Sequence, residues 1–316
     1  MLSVLLITFP FFALVACGFA ATWRGVLPHA AIPGLNAFVL YFALPCMLFR
    51  FGAGTPVAQL LDVRVTLVYL LCALLMVGAV VALTRRRLGW NDAAFGALVA
   101  AFPNTGFMGV PMLVALLGPQ SAGPVIVTMA IDMVVTTSLC IALSRLDVAG
   151  GHGMAVALRK AFAGMVANPM PWAIVLGGIA SAAGWRLPGP LDRTVAMLAG
   201  AASPVALFTI GAVLARSQMN HHERVAARDY LPVALAKLLA HPLLVWAVGR
   251  AAIAMGVELG EQTLVVLVLL AALPSASNVS LLTERFGAHG GRVARIILVT
   301  TALAFLSFSG AVALVA

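Results

Sequence analysis

Two asparagines each stand just past a proline inside a long apolar stretch. Asn104 lies in Phe102-Pro103-Asn104-Thr105-Gly106, and Asn278 in Leu273-Pro274-Ser275-Ala276-Ser277-Asn278. Proline removes a backbone donor and clashes with the preceding turn, while glycine lets the chain leave helical geometry. Pro103, Gly106 and Pro274 therefore break their helices and free backbone N–H and C=O groups. The carboxamides of Asn104 and Asn278 and the hydroxyls of Thr105, Ser275 and Ser277 add further polar groups at the same places. Amide hydrogens at the start of a half-helix, reinforced by its positive end, suit a carboxylate. The chemistry on offer is the holding of a small anion. The competing reading is that these side chains only re-satisfy the broken backbone, as polar groups do in kinked membrane helices.

Three ionisable residues lie in equally apolar surroundings. Asp132 has Thr128, Thr136 and Ser138 for neighbours, and Lys237 stands one turn before His241 and Pro242. A carboxylate in hydrocarbon is costly when ionised, so Asp132 should be protonated or paired. It is a candidate proton carrier, or else a structural partner of Lys237 or of the broken backbone. Lys237 lies roughly 10 Å into its segment at 1.5 Å per residue. It is a candidate counter-charge or proton-linked group, with snorkelling to the interface as the alternative. His241 titrates near neutral pH in water. Its simpler expectation is a bond to carbonyls freed by Pro242. Arg24, Asn36 and Arg50 fall at segment ends and read as interfacial anchors.

The elements that must carry these residues follow from composition. The 316-residue chain is 63% hydrophobic and 9% charged, with a mean hydropathy of +1.08, against about 25% charged in soluble domains. It is expected to be an all-α integral membrane protein in a lipid bilayer. A span needs about 20 apolar residues, and that unit gives ten: 2–22, 31–50, 63–84, 93–117, 121–144, 168–185, 191–214, 230–250, 261–283 and 292–315. The proline breaks fall in spans 4 and 9, one per half. Residues 2–22 lack the basic start of a signal peptide and are read as the first span. Met154 to Met165, with Arg159 and Lys160, suits a short interfacial helix.

Connections after odd-numbered spans hold thirteen Lys and Arg residues against five after even ones, which places the odd connections in the cytoplasm and both termini outside it. The net charge of +9 is thereby assigned to topology, and no nucleic-acid partner is expected. The four cysteines lack metal-ligand spacing, and no cofactor or metal site is expected. GxGxxG, Walker, HExxH and GxSxG patterns are absent. An intramembrane enzyme is disfavoured, because Asp132 has no second intramembrane aspartate and no spacing supports a His241–Ser275 pair.

The halves resemble each other. P-x-x-L-F-x-x-G occurs at Pro45–Gly52 and at Pro204–Gly211, an offset of 159 that also carries Pro10 onto Pro169 and Gly18 onto Gly177. By the breaks the offset is 171, carrying Pro103 onto Pro274. Five spans per half is odd, so the second repeat must be inverted. The expected domains are residues 1–145, a cytoplasmic connection over 146–166, and residues 167–316.

Several of these motifs together resemble the auxin efflux carriers, a family that includes plant auxin exporters and bacterial malonate or malate carriers. They are Leu44-Pro45-x-x-Leu48-Phe49, Phe102-Pro103-Asn104-x-Gly106-Phe107-x-Gly109-x-Pro111, Asn168-Pro169, Pro204-x-x-Leu207-Phe208-x-x-Gly211, Lys237-Leu238-x-x-x-His241-Pro242 and Leu273-Pro274-x-x-x-Asn278. The resemblance implies ten helices in an inverted 5+5 repeat, similar to bile-acid sodium symporters. Spans 1, 2, 6 and 7 would form a scaffold, and spans 3–5 and 8–10 a transport domain whose fourth and ninth helices cross at the breaks. It implies a multi-pass carrier of a small organic anion in the plasma (inner) membrane, working by alternating access. A Na⁺ requirement would need more carboxylates near the crossover than Asp132, so protons or facilitated diffusion are the expected drive. The long central loop of the plant members is missing. A channel or a transporter-like sensor stays open as an alternative, and the sequence leaves a homodimer undecided.

Overall fold

The computed structural model describes residues 2–146, 159, 169–220 and 225–315; among these there is no strand. The connection 146–166, apart from Leu146 and Arg159, and with it the expected interfacial helix over Met154–Met165, lies outside the described residues. In chain order the helices are α1 (Leu2–Trp23), α2 (Ile32–Phe38), α3 (Leu44–Gly54), the single turn α4 (Val57–Leu60) and α5 (Val63–Ala101). There follow α6 (Val110–Leu117), α7 (Ala122–Ile131), α8 (Thr137–Leu143), α9 (Pro169–Ala183) and α10 (Gly189–Asn220). The last five are α11 (Ala227–Leu235), α12 (His241–Ala254), α13 (Glu261–Ala272), α14 (Val279–Arg285) and α15 (Gly290–Val315).

Among the described residues, six helical stretches are long and apolar enough to cross a membrane: His29–Gly54, Val57–Ala101, Pro119–Leu143, Gly189–Arg216, Ala227–Ala254 and Gly290–Val315. Four shorter apolar stretches accompany them, Thr8–Trp23, Thr105–Leu117, Pro169–Ala183 and Glu261–Ala272. One boundary differs from expectation. Spans 63–84 and 93–117 are not separated by an arginine loop, because helix continues through Arg85-Arg86-Arg87. The division is a single residue, Gly89 in α5 (φ 77°, ψ 173°), a backbone region that side chains with a Cβ avoid.

Wide π-helical turns interrupt the helices at Val39–Ala43, Thr105–Gly109, Asp132–Thr136 and Ala236–Ala240. Three of them end two residues before a proline, Pro45, Pro111 and Pro242. A proline cannot donate to the carbonyl four residues back, and its ring pushes that carbonyl away, so the turn opens to i→i+5 pairing. In this way Pro242 sets the turn that carries Lys237, where the His241 N–H bonds to Ala236 O. The turn at Asp132 has no such proline. There Thr137 donates its hydroxyl to Asp132 O at 2.7 Å, and its N–H bonds to the same carbonyl.

The described chain forms two compact units, each drawing on both ends of the sequence. Unit 1 comprises Met1–Asp62, Gly106–Val127 and Asn168–His222; unit 2 comprises Val63–Thr105, Thr128–Ala167 and Glu223–Ala316. Within unit 1, α1 lies against α10 and α3 against α9. The contacts are backbone on backbone. A Cβ on Gly18 would strike the Phe208 carbonyl, and one on Gly211 the Val15 carbonyl. On the other pair, a Cβ on Gly177 would come within 2.5 Å of Phe49 O, and Gly52 packs on Gly177. Small residues serve this purpose in membrane helices, where close van der Waals contact replaces the hydrophobic drive.

Unit 2 is centred on two half-helices that are buried on every side, residues 93–101 of α5 and 266–272 of α13. Neither shows an amphipathic face because neither meets lipid or water. The start of the first is pinned by Arg292 of α15, 2% exposed, which donates to Asp92 O at 2.8 Å and Asp229 O at 2.6 Å. Its guanidinium lies directly on Gly96, where a Cβ would come within 2.7 Å of Nη2. Arg87 and Asp229 pair beside it at 2.8 Å.

Candidate functional site

The half-helix of α5 ends where it must. Phe102 N–H still reaches Leu98 O at 2.9 Å, Pro103 has no hydrogen to give, and Asn104 turns away from its own helix. The half-helix of α13 ends likewise: Leu273 closes a tight last turn onto Leu270 O at 3.1 Å and then extends, with ψ 154°. The two extended segments lie antiparallel and pair through Pro103 and Ser275. Asn104 N–H donates to Pro274 O at 2.8 Å, and Ala276 N–H donates to Phe102 O at 3.0 Å. Each break thus satisfies part of the other. Both segments belong to unit 2.

Seven of the eight residues expected at the breaks gather here. Pro103, Asn104, Thr105, Pro274 and Ser275 are buried, while Ser277 and Asn278 are half-buried. Gly106 is the first residue of the unit 1 segment Gly106–Val127 and lies in the wide turn Thr105–Gly109. The alternative that the polar side chains merely repair the backbone accounts for little. Thr105 makes one long bond, 3.4 Å, to Pro103 O, and the Asn104 carboxamide bonds to no described residue. Ser275 Oγ and Asn278 Oδ1 are buried without a partner. The N–H groups of Ser277 and Asn278 also lack an acceptor among the described residues. Buried polar groups without partners are costly, so these atoms are candidates for contact with a polar ligand.

Asp132 is fully buried and accepts from Tyr69 Oη at 2.7 Å and from Thr136 Oγ1 at 3.1 Å. Lys237 points to Ala271 O instead and makes no direct ion pair with Asp132, which corrects one structural alternative. Tyr69 carries no motif, and the sequence reading passed over it. Its signal was a phenol in mid-span, since a buried Tyr hydroxyl nearly always needs a partner.

Lys237 does not snorkel. It is 0% exposed and donates to Ala271 O at 2.7 Å, the last turn of α13 before the break. A cation there also faces the negative end of that half-helix. His241 is buried too, with Nδ1 3.0 Å from Lys237 Nζ and Nε2 unpartnered. The expected bond to carbonyls freed by Pro242 is not made, because the wide turn re-pairs the backbone itself through the His241 N–H. A second residue passed over is Thr300 on α15, whose Oγ1 accepts the Ser275 N–H at 3.2 Å. Of the expected anchors, Arg50 forms an exposed ion pair with Asp192 at 2.6 Å.

Comparison with known proteins places this geometry in context. Residues 4–149 and 153–312 match a family described as membrane transport protein. A Rhizobium meliloti protein named "Putative malonate transporter" is 29% identical over 313 residues, 95% of this chain and 92% of the relative. The Escherichia coli K12 protein named "Uncharacterized transporter YfdV" is 27% identical over 286 residues, 89% and 87% of the two chains. Auxin efflux carrier component 3a of Oryza sativa is 28% identical over 129 residues, 38% of this chain and 20% of the plant protein.

Proposed function

Since the chain belongs to the membrane transport protein family of auxin efflux carrier type, we propose that it is a secondary carrier of a small organic anion. The substrate class is a mono- or dicarboxylate such as malonate, malate or an auxin-like acid, moved by alternating access. The observation that carries this reading is the antiparallel pairing of Pro103 with Ser275. Two unwound segments meet with free hydroxyl, carboxamide and N–H groups around them, which is how discontinuous helices hold anionic substrates. The name of the 29% identical relative supports the same class.

The substrate site is assigned to Pro103, Asn104, Thr105, Gly106, Pro274, Ser275, Ser277 and Asn278. Carboxamides, hydroxyls and freed N–H groups donate to the carboxylate, and the two prolines keep the backbone open. Asp132, held by Tyr69 and Thr136, is the group through which a pH gradient would act, since it can carry a proton without leaving its pocket of donors. Lys237 is assigned the counter-charge or proton-linked role, with His241 Nδ1 as an acceptor for its ammonium.

The architecture proposed is ten spans in an inverted 5+5 repeat, in the inner membrane with both termini outside the cytoplasm. The apolar stretches support the number once Val57–Ala101 is divided at Gly89 into span 3 and the first half of span 4, which Thr105–Leu117 completes. The offset of 159 maps Gly18 onto Gly177 and Gly52 onto Gly211. Under it the contact of α1 with α10 and that of α9 with α3 exchange, as an internal two-fold requires. Spans 1, 2, 6 and 7 are assigned to the scaffold, and spans 3–5 and 8–10, which carry the crossing, to the transport domain.

The test is uptake of radiolabelled mono- and dicarboxylates by purified protein in proteoliposomes, with and without a pH gradient. Saturable uptake with counterflow is expected. Linear flux without counterflow would indicate a channel, and no flux of any carboxylate would remove the reading.

A further inference from the structure

An uninterrupted helix through span 9 would bond the N–H of Ser275 to the carbonyl of Ala271 on α13, four residues back. That bond is missing here, and each of its two ends is taken by a side chain from a different helix. Ala271 O accepts Lys237 Nζ at 2.7 Å, from the wide turn between α11 and α12. Ser275 N–H donates to Thr300 Oγ1 at 3.2 Å, on α15. The Thr300 hydroxyl gives its own proton to Ile297 O at 3.0 Å, which leaves its lone pairs for Ser275. Lys237 and Thr300 are 0% exposed and Ser275 is 1% exposed, so water does not compete for either end.

We infer that Lys237 and Thr300 are positioning residues that keep the second break open by occupying the two ends of its lost hydrogen bond. This rests on reading the crossing as the substrate site. With both ends occupied, Leu273 to Ala276 stays extended and presents Pro274 O and Ala276 N–H to the facing segment. The first break has no equivalent support. Asn104 N–H goes across to Pro274 O, and no described side chain takes the Ala100 carbonyl it abandons. The second break is therefore the built template, and the first is shaped against it.

Elsewhere in unit 2, Tyr69 Oη and Asp132 Oδ2 bond to each other at 2.7 Å. Lys237 acts on the substrate through the shape of the backbone rather than as its ligand.

Hydrogen–deuterium exchange on the full-length protein in lipid nanodiscs reads this directly, alongside uptake. Thr300→Val keeps the volume and removes the acceptor, and the Ser275 amide should exchange about tenfold faster, the scale of one lost hydrogen bond. Thr300→Ser should restore the wild-type rate. Lys237→Met should speed exchange in the same 273–278 peptide while leaving peptides of unit 1 unchanged. Both variants should raise KM for whatever carboxylate is transported. Unchanged exchange at Ser275 in either variant overturns the inference. Loss of uptake in Lys237→Met with unchanged exchange would make Lys237 a charge partner of the substrate instead. The exchange measurement needs no substrate, so it stands even if no carboxylate is carried.

Discussion

At the scale of single residues the crossing is a set of donors and acceptors left over after two helices have broken. Asn104 and Asn278 differ from ordinary core asparagines in having no side-chain partner among the described residues. In the proposed site, alanine at either position would remove contacts to the carboxylate, and hydrogen bonds to charged groups contribute about 1.5–3 kcal/mol each. Asn104→Ala and Asn278→Ala should each weaken saturable uptake by roughly 10- to 100-fold, with the protein still monodisperse on size exclusion. Normal transport by both would move the site elsewhere. Asp132→Asn is the second test at this scale. The amide oxygen can still accept from Tyr69 Oη and the amide NH2 can donate to Thr136 Oγ1, so the fold should persist while stimulation by a pH gradient disappears. Uptake driven by the substrate gradient alone should remain.

At the scale of elements, glycines and prolines decide where helices touch and where they open. α10 offers an internal control, because it carries Gly200 with nothing within 4 Å of a Cβ, and Gly211 against the Val15 carbonyl. Alanine favours helix over glycine by up to about 1 kcal/mol. Gly200→Ala should therefore leave thermal stability equal or higher. Gly211→Ala should lower it, since overpacking costs about 1–3 kcal/mol and backbone yields little. Gly96→Ala belongs with the second case. The added methyl displaces the Arg292 guanidinium from the carbonyls of Asp92 and Asp229. A fall in melting temperature in detergent is expected, and an unchanged value would mean that Arg292 relaxes freely.

For the whole molecule the decisive property is the way the membrane is crossed. The ten spans proposed above, with the surplus of arginine in alternate connections, predict that both termini lie on the same, non-cytoplasmic side. An epitope tag at either end should be cleaved by protease added to intact spheroplasts. Protection of both tags would invert the topology and with it the side on which Arg87, Arg145 and Arg292 lie. Counterflow in proteoliposomes tests the carrier cycle at this scale, because only a site that reorients while loaded accelerates exchange.

Composition alone made the membrane assignment secure, since a chain with 9% charge has no other way to hide its surface. Local chemistry did nearly as well for the breaks, because Pro103 and Pro274 forbid the same backbone bond wherever they stand. The division at Gly89 was less legible, as helix propensity carries the arginine run straight through and only a backbone angle marks the turn. What only the tertiary structure decided is which side chains answer the freed groups. Sequence placed Lys237 in mid-span but left it free to snorkel, to pair with Asp132 or to meet a substrate. Packing sent it to Ala271 O, gave Tyr69 to Asp132 and brought Thr300 to Ser275. A freed carbonyl in a dry interior accepts from whichever donor the neighbouring helices bring within about 3 Å. No spacing along a single helix records that choice.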